Sequence, residues 1–360
     1  MAMELVKSTP ALVPSGEIKL RKDEDAPMCV AVDRATSSLV CGINSGAESL
    51  LKGSNEALRV LSYSIHEPAG ARADETEGKA HAPVTIKAER AAESVQITDG
   101  EDYVRVLTFS PDGRLVAVGS SDGRVQLHRF PSLEKVWSDD YAVFGKDDEV
   151  YDADFSHDGT LLAFSTPKAV VIVTTAPKGT EAASEPRIIQ TIKDPAIGRG
   201  ERGTFRAVRF GRGSGRSMLY TLINTSGKSR ASYISAWDVD TWKLTSTRRV
   251  TARPATVMTL SSDGERLAVG ASDLTVSVLD ARRLKPILRI PAVHDFPPTC
   301  VAFSPSGSHL VSGSADSSLR VVELPAGAST GVLVAADGRH VYVILFILAL
   351  LLAIVATRFT

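Results

Sequence analysis

The chain has 360 residues, a formal net charge of −1 and 6% aromatic residues. A balanced charge gives no general attraction to nucleic acid, and few aromatic rings are available to stack on bases. The three cysteines, Cys29, Cys41 and Cys300, are odd in number and far apart. They favour a reducing compartment and argue against a disulfide framework or a zinc site.

Residues 1–25 form a lead-in that ends in a charged cluster, and we expect one strand in it, at residues 16–20. The N-terminus has no apolar run of the signal-peptide type. We therefore expect the domain that follows, residues 26–335, to stay in the cytosol.

A unit of short strands then repeats along the chain, most plainly in VRVLTFSPDGRLVAVGSSDGRVQLHRF, residues 104–130. Its two Asp-Gly pairs, at Asp112 and Asp122, are strong hairpin signals between alternating apolar runs. The first of these turns recurs at Asp158, Asp263 and Ser306. A looser copy contains Trp237 and Asp238, and an atypical first copy covers residues 28–63. Asp112 and Asp158 are 46 residues apart.

A repeat of this length with three or four short strands is typical of a propeller blade. The chain resembles the WD-repeat family, and Trp237-Asp238 is one intact copy of the dipeptide that names it. We predict an all-β fold, a seven-bladed WD-repeat-type β-propeller. Six blades come from the six copies, and the seventh is expected to join the lead-in to residues 331–335.

Two glycine motifs match signatures of enzymes by their letters alone. Residues 198–203 read G-x-G-x-x-G, but a strand rather than a helix is expected to follow, which disfavours a nucleotide phosphate site. Residues 119–123 read G-x-S-x-G, yet they lie between two strands of one blade, where a hydrolase elbow would lead into a helix. We interpret the second motif as a hairpin turn.

The first copy of the repeat replaces the tight second turn with a long segment, INSGAESLLKGSN, residues 43–55. We call this segment the blade-one loop. Loops of this length between strands are usually functional or disordered. A bent backbone with carbonyl groups turned inward can hold a cation. The alternative is an ordinary surface insertion.

A divergent propeller with such a loop and a C-terminal membrane anchor, here the uncharged apolar residues 341–357, resembles the endoplasmic-reticulum guanine-nucleotide exchange factors that activate the Sar-type GTPase for COPII assembly. Prolactin regulatory element-binding protein is the animal relative in this family. The resemblance implies a potassium ion held by the loop and a contact between the loop and the GTPase. The residues that match the ion-binding turn are Gly42, Ile43, Asn44 and Ser45. The residues expected to act on the GTPase are Lys52, Gly53, Ser54 and Asn55.

Six arginines lie between residues 199 and 216, with Glu201 as the one acidic residue among them. They are Arg199, Arg202, Arg206, Arg209, Arg212 and Arg216. One interpretation is a solvated loop followed by the exposed face of a strand. The other is a contact with anionic lipid, since an anchored domain stays close to a membrane.

Residues 341–357 read VYVILFILALLLAIVAT, with no charge, proline or glycine. As a helix, this segment reaches about 25 Å, near the lower limit for crossing a bilayer core. We predict a transmembrane helix here, after a juxtamembrane connection at residues 336–340 and before a lumenal tail at residues 358–360. A buried core helix is the alternative.

The function implied by the resemblance is exchange of guanine nucleotide on a Sar-type GTPase at the endoplasmic-reticulum membrane, which starts COPII budding. Such a protein is a regulator rather than an enzyme with covalent chemistry of its own. The alternative is a membrane-tethered WD-repeat scaffold without exchange activity. A DNA-binding regulator is suggested only by the name of the animal relative, and the neutral charge and the anchor count against it.

Overall fold

A computed structural model of the protein describes residues 17–65, 84–92, 102–137, 148–175, 186–193, 195, 197, 202–227, 230–325 and 333–334. These ranges are mostly β-strand, in six sheets of three to five strands. This confirms the all-β propeller class.

The first sheet contains β1 (Cys29–Asp33), β2 (Ser38–Gly42), β3 (Leu58–Ile65) and β4 (Val84–Ala92), with helix α1 (Ala47–Leu51) between β2 and β3. The second contains β5 (Val104–Phe109), β6 (Leu115–Ser120) and β7 (Val125–Arg129). The third contains β8 (Asp152–Phe155), β9 (Leu161–Ser165), β10 (Val170–Thr174) and β11 (Ile188–Ile192).

The fourth sheet contains β12 (Gly203–Phe210), β13 (Met218–Thr225), β14 (Ser232–Asp238) and β15 (Leu244–Thr251), with a 3₁₀ turn at Gly213–Gly215. The fifth contains β16 (Ala255–Leu260), β17 (Arg266–Ala271), β18 (Val276–Asp280) and β19 (Lys285–Ile290). The sixth contains β20 (Pro298–Phe303), β21 (His309–Ser314) and β22 (Leu319–Glu323). Strand β23 (Leu333–Val334) pairs with β19 in parallel.

In the second, third and fifth sheets, the turn between the first two strands is built from a Ser-x-Asp-Gly sequence. In the second sheet the Ser110 hydroxyl donates to Asp112 Oδ1 at 2.6 Å, and the same oxygen accepts from the Arg114 amide at 3.1 Å. Gly113 takes a φ of 70°, which favours glycine. The Asp158 and Asp263 turns repeat the serine-to-aspartate bond at 2.6 Å. These bonds explain why the hairpin prediction holds at Asp112, Asp158 and Asp263.

The core lies between neighbouring sheets rather than in one central mass. The first strands of successive sheets contact one another, from β1 through β5, β8, β12 and β16 to β20, so they are the innermost strands. Apolar side chains fill the space between each pair of sheets. Leu127, Phe155 and Phe164, all fully buried, do so between the second and third sheets. Each blade therefore depends on its neighbours for burial.

The prediction of a seventh blade is wrong for the described residues, which form six sheets. Residues 333 and 334, expected to help close a seventh blade, instead extend the fifth sheet, where Leu333 pairs with Leu288. Residues 17–20, in the predicted lead-in strand, are not in a strand. Leu20 instead packs on the first sheet, because Cys41, Ile43 and Leu61 offer it an apolar surface there.

The predicted membrane helix at residues 341–357, the connection at 336–340 and the tail at 358–360 lie outside the described residues. Within the described ranges, no helix has the length and apolar character needed to cross a bilayer.

Candidate functional site

The blade-one loop is an ordered structure with a buried base and an exposed tip. The base of the loop begins at Ile43, whose side chain is buried in a cluster with Cys41 and Leu61. The Ile43 amide donates to the Ala57 carbonyl at 3.0 Å, which continues the pairing of β2 with β3 past the strand ends. The polypeptide then rises into α1 and returns to β3 through Asn55. A helix of five residues is too short to show a periodic pattern, so the sequence analysis did not predict it.

A bridge of asparagine and serine side chains closes the base of the loop. The Ser45 amide donates to Asn55 Oδ1 at 2.9 Å, and Asn55 Nδ2 donates to Asn44 Oδ1 at 3.1 Å. The Glu56 amide donates to the Ser45 hydroxyl at 3.0 Å. Asn44 Nδ2 reaches the next blade and donates to the carbonyl of Asp102 at 3.0 Å. Since buried polar groups are costly without partners, this bridge fixes the loop in one conformation.

The lead-in packs against the same base. The Asp25 amide donates to the Asn44 carbonyl at 3.3 Å. A side chain at Gly46 would bring its Cβ within 2.0 Å of the Asp23 carboxylate, so the two segments touch only because residue 46 is glycine. Arg59 in β3 forms an ion pair with Glu24 at 2.8 Å, and both side chains are largely buried. The loop is therefore held between the lead-in and the second blade.

The tip of the loop is the part that faces solvent. The Leu51 side chain, at the end of α1, is 89% exposed, the highest exposure among the large apolar side chains of the described residues. Lys52 and Gly53 follow it and are exposed as well. Gly53 has a φ of 77° and lets the backbone turn back after the helix. Lys52 reaches Glu48 at 2.7 Å, an exposed pair of small energetic value.

The predicted site residues divide into two groups in this geometry. Lys52 and Gly53 lie at the exposed tip, and Ser54 is half-buried beside it. Asn55 is only 7% exposed and its amide is used inside the loop. Leu51 was missed, although a leucine pair in a loop otherwise rich in small and polar residues was a visible signal.

The oxygen atoms of Gly42, Ile43, Asn44 and Ser45 are of the kind that a potassium ion accepts. Four of these oxygens already accept hydrogen bonds. The Gly42 carbonyl accepts from Met28, the Asn44 carbonyl from Asp25, Asn44 Oδ1 from Asn55, and the Ser45 hydroxyl from Glu56. Each carbonyl oxygen has a second lone pair, so a potassium ion at these four residues stays a prediction. The mechanism proposed for the loop has no step through such an ion.

Two cysteines lie under the loop, on β1 and β2. Burial raises the pKa of Cys29 to about 12, and burial also raises the pKa of Cys41. Cys29 donates its thiol hydrogen to the Val104 carbonyl at 3.3 Å. Because the thiolate is the nucleophilic form, both thiols are unreactive at neutral pH and serve packing.

Three arginines of the arginine-rich segment, Arg206, Arg209 and Arg212, are half-buried and contact neighbouring sheets. Arg209 forms an ion pair with Asp152, and Arg212 pairs with Asp154 at 3.0 Å. Both pairs join the fourth sheet to the third, and burial raises the pKa of Asp154 despite its arginine neighbours. Arg206 stacks on Tyr151. Arg202 and Arg216 are exposed, at opposite ends of β12, and Arg199 lies outside the described residues. The described arginines therefore do not form one continuous surface.

The glycine motif at residues 119–123 is a turn between β6 and β7, which confirms its interpretation as a hairpin. Residues 198–201 of the other motif lie outside the described residues. Strand β12 follows that motif, as expected.

Comparison with known proteins agrees with this architecture. The model of the "WD domain, G-beta repeat" family matches residues 286–323, and that of the "Anaphase-promoting complex subunit 4 WD40 domain" matches residues 107–187. The fold and these matches define a divergent WD-repeat β-propeller.

Within that class, the chain is similar to proteins named SEC12. It is 27% identical to "SEC12-like protein 2" of Arabidopsis thaliana over 60% of its length. It is 25% identical to "Guanine nucleotide-exchange factor SEC12" of Rattus norvegicus over 76% of its length, and 24% identical to the Candida glabrata protein of that name over 85%. The matches span 50%, 68% and 59% of those relatives. The resemblance to a divergent WD-repeat family of exchange factors is thus confirmed.

Proposed function

We propose that the protein is a guanine-nucleotide exchange factor for a Sar-type small GTPase at the endoplasmic-reticulum membrane, where it starts COPII budding. The observation that carries this proposal is the blade-one loop, a braced segment that presents an exposed leucine at its tip. The similarity to relatives named as exchange factors supports the same function. A rigid support lowers the entropy that an apolar side chain loses when it enters a protein contact.

The mechanism needs no covalent step on this chain. A small GTPase holds its nucleotide with switch segments that change conformation. A loop that binds the open switch conformation better than the closed one lowers the barrier to GDP release, and it can do so only by that difference in affinity. A tenfold faster release corresponds to about 1.4 kcal/mol of preferential stabilisation.

The residues of the loop take different roles in this mechanism. Leu51, Lys52 and Gly53 contact the switch region, because their side chains and backbone face solvent. Ser54 and Asn55 hold the tip in place from below, and Asn44 and Ser45 complete the support. The loop is therefore ordered when the protein folds, and binding does not have to supply the entropy cost of ordering it.

Membrane attachment through residues 341–357 is part of the proposal and places the loop where a coat assembles. The potassium ion implied by the family resemblance stays a prediction, tested by exchange with and without potassium. A contact of residues 199–216 with anionic lipid also stays a prediction, and Arg202 and Arg216 are its exposed arginines among the described residues. Binding to neutral and anionic liposomes tests it, and equal partitioning would reject it.

The deciding experiment measures GDP release from a purified Sar-type GTPase with this protein added. We expect Leu51→Asp to lose most of the acceleration, because a carboxylate at the tip prevents apolar contact. Leu244→Ala, at an exposed leucine of β15, serves as the matched control and should leave release unchanged. If the wild-type chain binds the GTPase without changing release, the scaffold function is correct and exchange is not.

A further inference from the structure

Three neighbouring innermost strands bring Arg105, Tyr151 and Arg206 together in the central channel. Arg105 and Arg206 occupy equivalent positions, each skipped in the register between the first two strands of its sheet. Tyr151 immediately precedes β8. The Arg105 guanidinium carbon lies 4.5 Å from the centre of the Tyr151 ring, and the Arg206 carbon lies 5.0 Å from it. One ring therefore stacks with two cations. We call these three residues the channel cluster.

The channel cluster lies on the same face of the propeller as the blade-one loop. Asn44 at the base of the loop donates to the carbonyl of Asp102, and Cys29 donates to the carbonyl of Val104. These acceptors lie three residues and one residue before Arg105. The base of the loop and the cluster are therefore both on the face of the propeller where the innermost strands begin.

Among the described residues around the cluster, the positive charges outnumber the carboxylates by one. Arg105 forms an ion pair with Glu149, and Arg209 forms one with Asp152. Among the described residues, no carboxylate lies within 4.0 Å of the Arg206 guanidinium. Three described arginines thus share two carboxylates, and Arg206 is the one that interacts with Asp152 and Glu149 only from beyond ion-pair distance while its guanidinium lies over the Tyr151 ring.

This arrangement is costly for Arg206 as it stands. Its side chain is half-buried, and burial together with the positive charge of Arg105 lowers its pKa. A ring face compensates a desolvated cation only partly. An anion that reached the guanidinium would find it already fixed in position and short of solvent, which favours binding.

We propose that the channel cluster is a receptor for one carboxylate side chain, an aspartate or glutamate of the GTPase that docks on the loop face. The identity of the partner rests on the proposed function, while the carboxylate site rests on the channel geometry. The charge balance favours a carboxylate over a phosphate. A monoanion neutralises the one excess charge, whereas a phosphate dianion would leave a net negative charge in a partly buried channel.

The test measures binding of the GTPase to the full chain in detergent at several salt concentrations. We expect Arg206→Gln to weaken binding about tenfold, within the usual range for loss of a charge-assisted contact, and to reduce its dependence on salt. Arg206→Lys should recover only part of the affinity, since a lysine lacks the planar fork. The matched control, Arg216→Gln, changes an exposed arginine away from the cluster and should bind like the wild type.

Thermal melting of the free proteins separates binding from a structural role. Arg206→Gln removes an unpaired half-buried charge, so the melting temperature should stay constant or rise. A fall in melting temperature together with weaker binding would make Arg206 a structural residue and overturn the proposal. Unchanged binding by Arg206→Gln, or a wild-type chain that does not bind the GTPase, would overturn it as well.

Two small anions test the chemistry of the site directly. Acetate should raise the melting temperature of the wild type more than that of Arg206→Gln at equal ionic strength. A larger effect of inorganic phosphate would reassign the site to phosphate and overturn the carboxylate proposal.

The GDP-release measurement distinguishes the carboxylate site from the proposed exchange function. If the wild type accelerates GDP release and Arg206→Gln binds normally, the proposed function stands and the carboxylate site fails. If the wild type binds through Arg206 without accelerating release, the reverse holds.

Discussion

The turn after β6 and the blade-one loop after β2 occupy the same place in two neighbouring blades. In the tight turn, the Ser120 hydroxyl donates to Asp122 within two residues, and the Ser120 amide donates to the Arg124 carbonyl at 3.0 Å. In the loop, Asn44 and Asn55 make the corresponding closure across eleven residues. Both devices satisfy the polar groups at a strand end, but the second also raises a helix above the propeller. A blade can therefore gain a protruding element without losing its hairpin.

The largest effect in this comparison should come from the asparagine bridge. Asn55→Ala removes the acceptor of the Ser45 amide and the donor to Asn44, and it leaves both groups buried. We expect a loss of about 2–3 kcal/mol in the stability of the loop, since each unsatisfied buried group costs about 1–3 kcal/mol. Hydrogen exchange of residues 43–57 and thermal melting measure it.

Asn55→Asp is the matched variant for that prediction. It keeps the acceptor for the Ser45 amide but places a buried carboxylate against Asn44 Oδ1, so at neutral pH it should destabilise the loop at least as much as Asn55→Ala. Equal protection of the loop in the wild type and in Asn55→Ala would show that the bridge does not hold the tip.

A smaller effect is expected at the glycine that turns the tip. Gly53 has a φ of 77°, and a Cβ added there would meet nothing within 4 Å. Gly53→Ala should therefore cost about 1–2 kcal/mol through backbone conformation alone. Gly53→Asn should cost less, because asparagine accepts this conformation more readily. Chemical denaturation of both variants gives the ranking, and an alanine variant as stable as the asparagine variant would contradict it.

Acid should destabilise the Ser-x-Asp-Gly turns before it destabilises the base of the blade-one loop. Hydrogen bonds from Ser110 lower the pKa of Asp112, and at Asp158 the bonds from Ser156 and Thr160 outweigh burial and lower its pKa too. A lowered pKa in the folded state gives stability that is complete above the unfolded value of about 3.9 and is lost as the pH falls below it. The amide of Asn55 does not titrate.

Hydrogen exchange between pH 6 and pH 3 measures this difference, after correction for the intrinsic rate. Protection near Asp112 and Asp158 should fall below about pH 4, while the base of the blade-one loop keeps its protection longer. Asp158→Asn should flatten the pH dependence of its own turn, and Asp240→Asn, at an exposed position, should not. If the loop and the turns lost protection at the same pH, the predicted difference in acid sensitivity would be wrong.

The smallest effect is expected in the sixth blade. Ser317 is exposed and takes a φ of 62°, where the second blade has Gly123 at 83°. Ser317→Gly should raise the stability by about 0.5–1 kcal/mol, because the left-handed conformation costs a serine more than a glycine. Thermal melting detects the gain, and a decrease would mean that the serine side chain has a stabilising contact.

The sequence predicted the repeats well because their signals are local. Ser-x-Asp-Gly turns and alternating apolar strands depend on residues within a few positions of one another. The hydrogen bonds of Asn55 could not be predicted in this way, since its partners Ser45 and Asn44 are ten and eleven residues away. The same limit applies to β23, which pairs with β19, and to Arg209 and Arg212, whose carboxylate partners belong to another blade. From sequence alone, a run of arginines is interpreted as a charged surface, because the carboxylates that pair with them are distant in the chain.

The contact between Asp23 and Gly46 has a practical consequence for preparing the protein. Residues 20–25 lie across the base of the blade-one loop, where Leu20 covers apolar side chains and Glu24 pairs with Arg59. A shortened expression variant that starts after these residues would keep every strand of the six sheets. It would also expose the apolar side chains of Cys41, Ile43 and Leu61 and remove the contacts of residues 20–25 with the loop. A loss of activity in such a variant would therefore reflect the missing residues 20–25 rather than a defect in the propeller.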